Sequence, residues 1–373
     1  MQTRIIKIDA ANIDLAKIRD AAELVDSGKL VAFPTETVYG IASRVKTDSL
    51  TKLDKIKGRS PDKYYTLHIG RKEDYKKYLP TVGLRGQKLI KNGWPGPLTV
   101  VFELNDEDIK KQRNGLEKEV FENLYKNNSI GIRCPDNDIA SELLRRVCNA
   151  VVAPSANLAG QSPAVTAEEV FERFDGQIEM LLDGGPCKYQ KSSGVVKIGK
   201  NSLEILRTGF YSEAEIKMMS VVKFLFVCTG NTCRSPMAKG IFSKYLAEKL
   251  GCRVDQLEEK GYKIVSAGTM GITGMPASPE AVAACAARGV DLSEHISTGL
   301  TRQLIEDCDF VFGMGQVHCE RIAALSPISA DKCVLLAGDR DIEDPIGQPQ
   351  SVYDRCAYII EEAVKKRIGG FVI

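Results

Sequence analysis

The sequence predicts an α/β protein that is built from two domains. Three apolar runs, residues 30–33, 151–153 and 221–227, each lead into small polar residues or glycine, as buried strands do in α/β folds. The length of 373 residues exceeds a typical single core and favours about two domains. The net charge also differs along the chain, at +4 for residues 1–217 and −2 for residues 218–373.

The expected boundary lies in the polar stretch after the turn at Thr208 and Gly209. We predict a first domain over residues 1–212, a linker over 213–220 and a second domain over 221–373. Since neither half is strongly charged and no repeat is evident, the halves are expected to be unrelated domains without stable DNA binding.

Composition favours a globular protein of the cytoplasm. Hydrophobic residues make up 43% of the chain and charged residues 27%. No apolar run approaches the roughly 18 residues of a membrane span, and the amino terminus lacks the pattern of a signal peptide. Eleven scattered cysteines fit a reducing compartment. The three histidines, His68, His295 and His318, form no zinc-binding pattern with the cysteines, so no metal ligands are expected from side chains.

The first half contains polar residues where apolar runs end, and ligands bind at such positions in open α/β sheets. Residues 52–91 hold twelve basic and four acidic residues, a pattern that is most often a solvated face. In combination, however, five side chains form a candidate site for a phosphate and a carboxylate. They are Thr35, Lys57, Arg59, Ser155 and Asn157.

Several short blocks, in order, give this half a family resemblance. It resembles the YrdC-like threonylcarbamoyl-AMP synthases over about residues 13–209. The matching blocks are 34–40, 57–59, 94–99, 131–133, 155–157, 183–185 and 206–209. The resemblance implies an open twisted α/β sheet and a reaction of ATP, L-threonine and bicarbonate that serves the tRNA modification machinery downstream.

The resemblance also implies roles for individual residues. Lys57, Arg59 and a Mg²⁺ ion that accompanies ATP would neutralise phosphate charge. Thr35, His68 and Ser155 would orient threonine. The nucleotide would be bound by Ser155, Asn157, Ser193 and Arg207. Residues 60–68 and 192–197 depart from the usual family sequence. The alternative is therefore a nucleotide- or RNA-binding module without turnover.

Residues 228–235 are the most informative segment of the chain. A cysteine and an arginine six positions apart follow the apolar run 221–227, and Pro236 suits the first turn of a helix. A loop of this kind directs backbone N–H groups at an oxyanion, and the arginine fork completes the binding site. The positive field favours the thiolate of Cys228, which can attack phosphorus.

A cysteine nucleophile also needs an acid that protonates the leaving group. The segment 339–347 is rich in carboxylates, and Asp344 is held extended because a proline follows it. This posture suits general acid catalysis by Asp344.

The second half resembles the low-molecular-weight protein tyrosine phosphatase family over about residues 221–367, which implies a central parallel sheet and no cofactor. Carried over to this sequence, Cys228 is the nucleophile, Arg234 the phosphate clamp and Asp344 the general acid. Ser235 stabilises the thiolate, Asn231 organises the loop, and Cys233 can trap an oxidised nucleophile. The remaining residues of the phosphate-binding loop are Thr229, Gly230 and Thr232.

The substrate is expected to be a phosphorylated protein, with the phosphorylated residue left open. Thr232 is similar to the protein-arginine phosphatase branch, and Ile346 stands where tyrosine-specific members have an aromatic residue. Ile346 differs from the arginine branch too, where phenylalanine is usual. Phosphoarginine is favoured and phosphotyrosine is the alternative. Arsenate reduction is disfavoured because Met314 lies where its first resolving cysteine would be expected.

Overall fold

The strands form two separate sheets, one in each half of the chain. The computed structural model describes residues 2–60 and 64–373. The chain divides into two units, which we call the amino-terminal unit (Met1–Met219) and the carboxy-terminal unit (Ser220–Ile373). Within the described ranges, no helix has the length and apolar character that a membrane crossing requires.

The amino-terminal unit is organised around a ten-stranded mixed sheet. Its strands are β1 (Arg4–Lys7), β2 (Val31–Phe33), β3 (Gly40–Arg44), β4 (Thr66–His68), β5 (Leu98–Glu103), β6 (Ser129–Arg133), β7 (Val151–Val152), β8 (Met180–Asp183), β9 (Gly194–Ile198) and β10 (Leu203–Arg207). Their order in the sheet is β1-β8-β2-β3-β7-β4-β6-β5-β9-β10. Parallel and antiparallel neighbours alternate irregularly, so strand ends from distant parts of the sequence meet at the centre of the sheet.

Helices cover both faces of this sheet. They are α1 (Leu15–Asp26), α2 (Thr47–Lys57), α3 (Leu84–Gly93), α4 (Asp106–Gly115), α5 (Lys118–Leu124), α6 (Asp138–Arg146), α7 (Ala167–Phe174) and α8 (Glu213–Met219), with a 3-10 helix at Lys72–Lys77. Strand β2 shows why two cores form. Val31 and Phe33 pack with α1 and α6, whereas Ala32 belongs to the core on the other face, as the two-residue period of a strand requires.

Helix α8 lies in the segment that was expected to be a linker. Its Ile216 is fully buried and belongs to the same core as Trp94 and Leu98. Three charged residues alternate with the first apolar ones in this heptapeptide, so it gave little sequence signal, but the burial of Ile216 makes the segment part of the amino-terminal unit.

The carboxy-terminal unit has a four-stranded parallel sheet in the order β12-β11-β13-β14. The strands are β11 (Val222–Cys228), β12 (Tyr262–Gly268), β13 (Phe310–Gly313) and β14 (Cys333–Leu335). The helices are α9 (Arg234–Leu250), α10 (Pro279–Ala286), α11 (Arg302–Asp307), α12 (Gln316–Leu325) and α13 (Gln350–Gly369), with 3-10 helices at Val254–Gln256 and Pro327–Lys332.

Strand β11 is the centre of this unit, and every other residue faces the same core. Phe224 and Phe226 pack against Phe242 of α9. Leu225 and Val227 belong to a cluster on the opposite face. A strand that is buried on both faces reads as a nearly continuous apolar run, as residues 221–227 do apart from Lys223. The predicted α/β class, with an open sheet in the first half and a parallel sheet in the second, is confirmed.

Candidate active sites

A cavity of about 820 Å³ opens among the strand ends of the amino-terminal unit. The eight residues that the sequence analysis assigned to ATP and threonine all line it. They are Thr35, Lys57, Arg59, His68, Ser155, Asn157, Ser193 and Arg207. They come from strands and loops that are up to 172 positions apart in sequence, and the order of the sheet brings them together.

The cavity is positively charged. Four of its lining residues, Lys57, Arg59, Arg133 and Arg207, are cationic, and none of the described lining residues is aspartate or glutamate. Positive charge without carboxylates favours an anionic ligand. Over the described parts of the chain, no cluster of His, Cys, Asp or Glu could hold a metal ion.

Lys57 at the end of α2 organises one wall of the cavity. Its Nζ donates to the carbonyl oxygens of Ser155 and Asn157, the latter at 2.6 Å. The Ser155 hydroxyl donates to Asn157 Oδ1 at 2.5 Å. These bonds fix the turn after β7, so the Lys57 ammonium and the 155–157 turn form one connected group.

Arg59 lies on the neighbouring wall. Its guanidinium carbon is 4.6 Å from the centroid of the Tyr65 ring, and its Nη2 donates to the Tyr64 carbonyl at 2.6 Å. Residues 61–63, within the segment that departs from the family sequence, lie outside the described residues.

His68 on β4 is a neutral side chain. Burial and the nearby Arg133 charge lower its pKa to about 3. Its Nδ1 lies 3.1 Å from the Thr66 carbonyl, to which only an N–H can donate. The Nε2 atom is therefore left as a hydrogen-bond acceptor.

Arg133 at the end of β6 is a lining residue that the sequence analysis did not single out. Its Nη2 is 2.9 Å from Glu36 Oε1 and donates to Thr37 Oγ1 at 2.6 Å. The side chains of Arg133 and Glu36 are 7% and 1% exposed, so this is a buried ion pair. Only the 131–133 block of the family resemblance pointed to Arg133.

Arg207 and Ser193 form another bonded pair in the lining of the cavity. Arg207 donates to the Ser193 carbonyl from Nε at 3.1 Å and from Nη2 at 2.9 Å. The Ser193 hydroxyl lies 3.2 Å from Thr99 Oγ1. Burial, together with the Arg133 charge, lowers the pKa of Arg207 below its usual range.

The carboxy-terminal unit holds a second site, in the loop between β11 and α9. Cys228 is the last residue of β11 and is 2% exposed. Its Sγ accepts a hydrogen bond from the Asn231 N–H at 3.2 Å and lies 3.0 Å from Ser235 Oγ. An amide N–H and a hydroxyl thus face the sulfur, and α9 begins at Arg234 with its N-terminus in the same loop.

Asn231 holds the loop in shape. Its φ of 56° lies in the left-handed region. Its Nδ2 donates to Ser235 Oγ at 2.8 Å and to Ser266 Oγ at 3.0 Å, and its Oδ1 accepts from the Thr298 N–H at 2.8 Å. One side chain thus ties the loop to β12 and to the segment before α11.

Gly268 at the end of β12 makes room for the loop. A Cβ atom there would lie 2.8 Å from the Thr229 carbonyl oxygen and 2.9 Å from the Gly230 carbonyl carbon. The absence of a side chain therefore lets the loop lie directly against β12.

Arg234 and Asp344 also meet at this loop. The Arg234 guanidinium donates to the Ile342 carbonyl from Nη1 at 3.0 Å and to Thr229 Oγ1 from Nη2 at 3.1 Å. Nη2 also forms an ion pair with Asp344. Two of the three residues assigned to catalysis, Arg234 and Asp344, are thus paired beside the loop that follows Cys228.

Cys233 and Thr232 complete the loop. Cys233 is 4% exposed, and its Sγ lies 3.4 Å from Ser278 Oγ and 3.5 Å from the Tyr353 hydroxyl. Thr232 is half-buried, with its Oγ1 3.6 Å from Cys233 Sγ. The Thr232 and Cys233 side chains therefore lie against each other, and Cys233 links the loop to Ser278 and Tyr353.

Comparison with known families assigns each unit. The Sua5/YciO/YrdC family model, with the description "Telomere recombination", matches residues 23–209. The model of the "Low molecular weight phosphotyrosine protein phosphatase" family matches residues 223–368.

Individual relatives agree with the first assignment. A threonylcarbamoyl-AMP synthase of Pyrococcus abyssi is 30% identical over 233 residues, which are 62% of this chain and 65% of the relative. The enzyme of the same name from Bacillus subtilis is 32% identical over 203 residues, 54% of this chain and 56% of the relative. The chain thus spans less than two thirds of the length of either relative.

A solved structure shares the fold. The crystal structure of P. abyssi Sua5 in complex with L-threonine matches with a TM-score of 0.52 and 22% identity, and covers 71% of this chain and 92% of that chain. The sheet, the cavity and the family match agree, and the chain belongs to the Sua5/YciO/YrdC family, with a low-molecular-weight phosphatase domain as its carboxy-terminal half.

Proposed function

We propose that the protein is a bifunctional enzyme. The amino-terminal unit would form threonylcarbamoyl-AMP and pyrophosphate from ATP, L-threonine and bicarbonate, for the N6-threonylcarbamoyladenosine modification of tRNA. The carboxy-terminal unit would be a cysteine-dependent protein phosphatase. The observation that carries the first activity is the cavity with four cationic and no carboxylate side chains among its described lining residues.

In this proposal the cavity acts by positioning and by charge neutralisation. Thr35, Ser155 and the Nε2 acceptor of His68 suit the hydroxyl and ammonium of threonine. Arg59 and Arg207 suit phosphate oxygens. Because the described lining has no carboxylate, a Mg²⁺ ion would be held by the nucleotide phosphates, where it would neutralise their charge.

Pyrophosphate release tests the first activity. The purified chain should release pyrophosphate from ATP only when both threonine and bicarbonate are present. If the chain binds ATP but releases no pyrophosphate, the amino-terminal unit is instead a nucleotide- or RNA-binding module, and the synthase proposal fails.

The observation that carries the second activity is the buried Cys228 sulfur, which faces amide and hydroxyl donors at the N-terminus of α9. The Cys228 thiolate would attack phosphorus while Asp344 gives its proton to the leaving group, so the bond from phosphorus to the leaving group breaks. Water would then attack the thiophosphate, Asp344 would take its proton, and phosphate would leave with the Cys228 thiolate restored.

Cys228→Ser tests whether the two activities belong to separate sites. The variant should lose phosphatase activity and keep the threonine-dependent release of pyrophosphate, because the two sets of residues lie in different units. Loss of both activities would contradict two independent sites. The proposal also places the protein in the reducing cytoplasm, where Cys228 and the other ten cysteines, all free here, stay reduced.

We infer that phosphoarginine is the preferred substrate. Thr232 places a branched, hydroxyl-bearing side chain next to Cys233 in the loop, and Ile346, 63% exposed, offers no ring that could stack on a phenol. Competing phosphoarginine and phosphotyrosine peptides should show faster turnover of phosphoarginine. Thr232→Ile should reverse this preference, and equal rates before and after the substitution would contradict the assignment.

A further inference from the structure

A buried histidine lies behind the phosphate loop and outside the set of residues that the proposed reaction uses. His318 is the third residue of α12 and is 2% exposed. Its Nε2 lies 3.0 Å from Thr229 Oγ1. The same oxygen accepts a hydrogen bond from Arg234 Nη2 at 3.1 Å.

Burial keeps His318 neutral. Burial and the Arg234 charge lower the pKa of the ring, and the Gly315 backbone and the carboxylates of Asp344 and Asp341 oppose this only in part. The Gly315 carbonyl favours a proton on the buried Nδ1. A neutral ring with its proton on Nδ1 presents Nε2 to Thr229 as an acceptor.

The direction of the hydrogen bonds follows from the atoms available. Thr229 Oγ1 already accepts from Arg234, so its own hydrogen is left to donate, and Nε2 of the neutral ring is an acceptor within reach. The chain then runs from Arg234 through Thr229 to His318, and each bond polarises the next.

Arg234 has two kinds of contact. Ile342 and Thr229 are its uncharged partners, whereas Asp344 is its anionic partner and competes with any oxyanion for the same guanidinium. In this account an incoming phosphate replaces Asp344 and leaves the other two contacts in place. Without the hydrogen bond to Thr229, Nη2 would be bonded to Asp344 alone, and the guanidinium could rotate when Asp344 moves.

We propose that His318, through the Thr229 hydroxyl, is the positioning residue that keeps the Arg234 guanidinium in place while Asp344 is exchanged for the oxyanion. The inference rests on the proposed phosphatase activity, and it adds two residues to that site. His318 touches neither substrate nor Cys228 in this account, so its effect is on oxyanion affinity and orientation.

The test uses four single variants of the full chain and the double variant that combines Thr229→Val with His318→Ala. Thr229→Val removes the hydroxyl and keeps the shape, Thr229→Ser keeps the hydroxyl, and His318→Ala removes the ring. Val317→Ala, at a 63% exposed neighbour in the same helix, is the matched control. Each variant is assayed with p-nitrophenyl phosphate and titrated with inorganic phosphate by calorimetry.

Thr229→Val and His318→Ala should each weaken phosphate binding roughly tenfold, the scale of one hydrogen bond to a charged group. The double variant should be little worse than either single variant, because both remove the same chain of bonds. Thr229→Ser should recover most of the binding that Thr229→Val loses, and Val317→Ala should bind phosphate like the original protein. Fully additive losses, or unchanged phosphate binding in Thr229→Val, would overturn the proposal.

Two outcomes separate the inference from the proposed function. If the original protein hydrolyses p-nitrophenyl phosphate but Thr229→Val binds phosphate normally, only the role of His318 is refuted. If the original protein shows no hydrolysis, the phosphatase proposal fails, and the phosphate titration still decides whether Thr229 and His318 position Arg234. Should His318→Ala not fold, the comparison of Thr229→Val with Thr229→Ser carries the test.

Discussion

The Arg234 guanidinium is paired with the Asp344 carboxylate, so the proposed phosphate clamp and the proposed general acid neutralise each other in the free protein. The side chain of Arg234 is 7% exposed and that of Asp344 is 39% exposed. The arginine is therefore the fixed partner and the aspartate the partner that can move. Substrate binding would separate the pair and free Asp344 for proton transfer.

Asp344→Asn should separate acid catalysis from oxyanion binding. The amide cannot protonate the leaving group, so kcat for phenyl phosphate should fall by about 100-fold or more. The loss should be smaller for p-nitrophenyl phosphate, whose leaving group needs less help. Phosphate affinity should stay equal or rise, since a competing charge on Arg234 is gone. Equal losses of kcat for both esters would contradict the role of Asp344.

Asn231 allows the backbone and side-chain contributions of the loop to be distinguished. Both Asn231→Ala and Asn231→Gly lose the bonds to Ser235, Ser266 and Thr298, but only alanine is strained at a φ of 56°. Asn231→Ala should therefore destabilise the carboxy-terminal unit by about 1 kcal/mol more than Asn231→Gly. Unfolding in urea, monitored by the loss of phosphatase activity, measures this difference. Equal urea midpoints for Asn231→Ala and Asn231→Gly would refute the backbone strain.

The Arg133–Glu36 pair should be essential for the stability of the amino-terminal unit. Glu36→Ala leaves a buried guanidinium without its carboxylate, which costs about 3–5 kcal/mol. Trp94 is the one tryptophan of the chain and is 3% exposed in this unit, so its fluorescence reports the unfolding. Glu117→Ala, at a solvent-exposed pair with Lys46, is the control and should change little. If Glu36→Ala and Glu117→Ala lowered the free energy of unfolding equally, the prediction that the buried pair matters more would be wrong.

His68 should make the amino-terminal unit less stable in acid. Its folded pKa of about 3 lies below the ordinary value near 6.5. Between these values the unfolded chain binds a proton that the folded chain excludes, so the free energy of unfolding falls as the pH drops from 6.5 towards 3. Unfolding followed by Trp94 fluorescence at pH 7.5 and pH 5 should show a smaller loss in His68→Gln. If the free energy of unfolding fell equally between pH 7.5 and pH 5 in the original protein and in His68→Gln, His68 would not be the cause.

The phosphate loop was predictable because its geometry is local. Residues 228–235 are contiguous, and the strand before them and the helix after them carry their own signals in hydrophobicity and in Pro236. The left-handed Asn231 and the position of Cys228 at the end of β11 follow from that short segment alone.

Contacts across the sheets were not predictable in the same way. Glu36 meets Arg133 across 97 positions and Thr229 meets His318 across 89, and only the strand order sets these pairs. No periodicity or local spacing encodes that order. The family resemblance supplied the eight cavity residues, but not the buried pairs that support them. Helix α8 was missed because one buried isoleucine carries its packing.

The depth of Cys228 has a practical consequence for chemical labelling. Cys228 is 2% exposed and belongs to the proposed phosphate-binding loop, whereas Cys148 is solvent-exposed. Small anionic alkylating agents such as iodoacetate would react with Cys228. Bulky maleimides would react only with exposed cysteines such as Cys148. One protein sample treated in turn with the two reagents would thus carry separate tags on its reactive centre and on its surface.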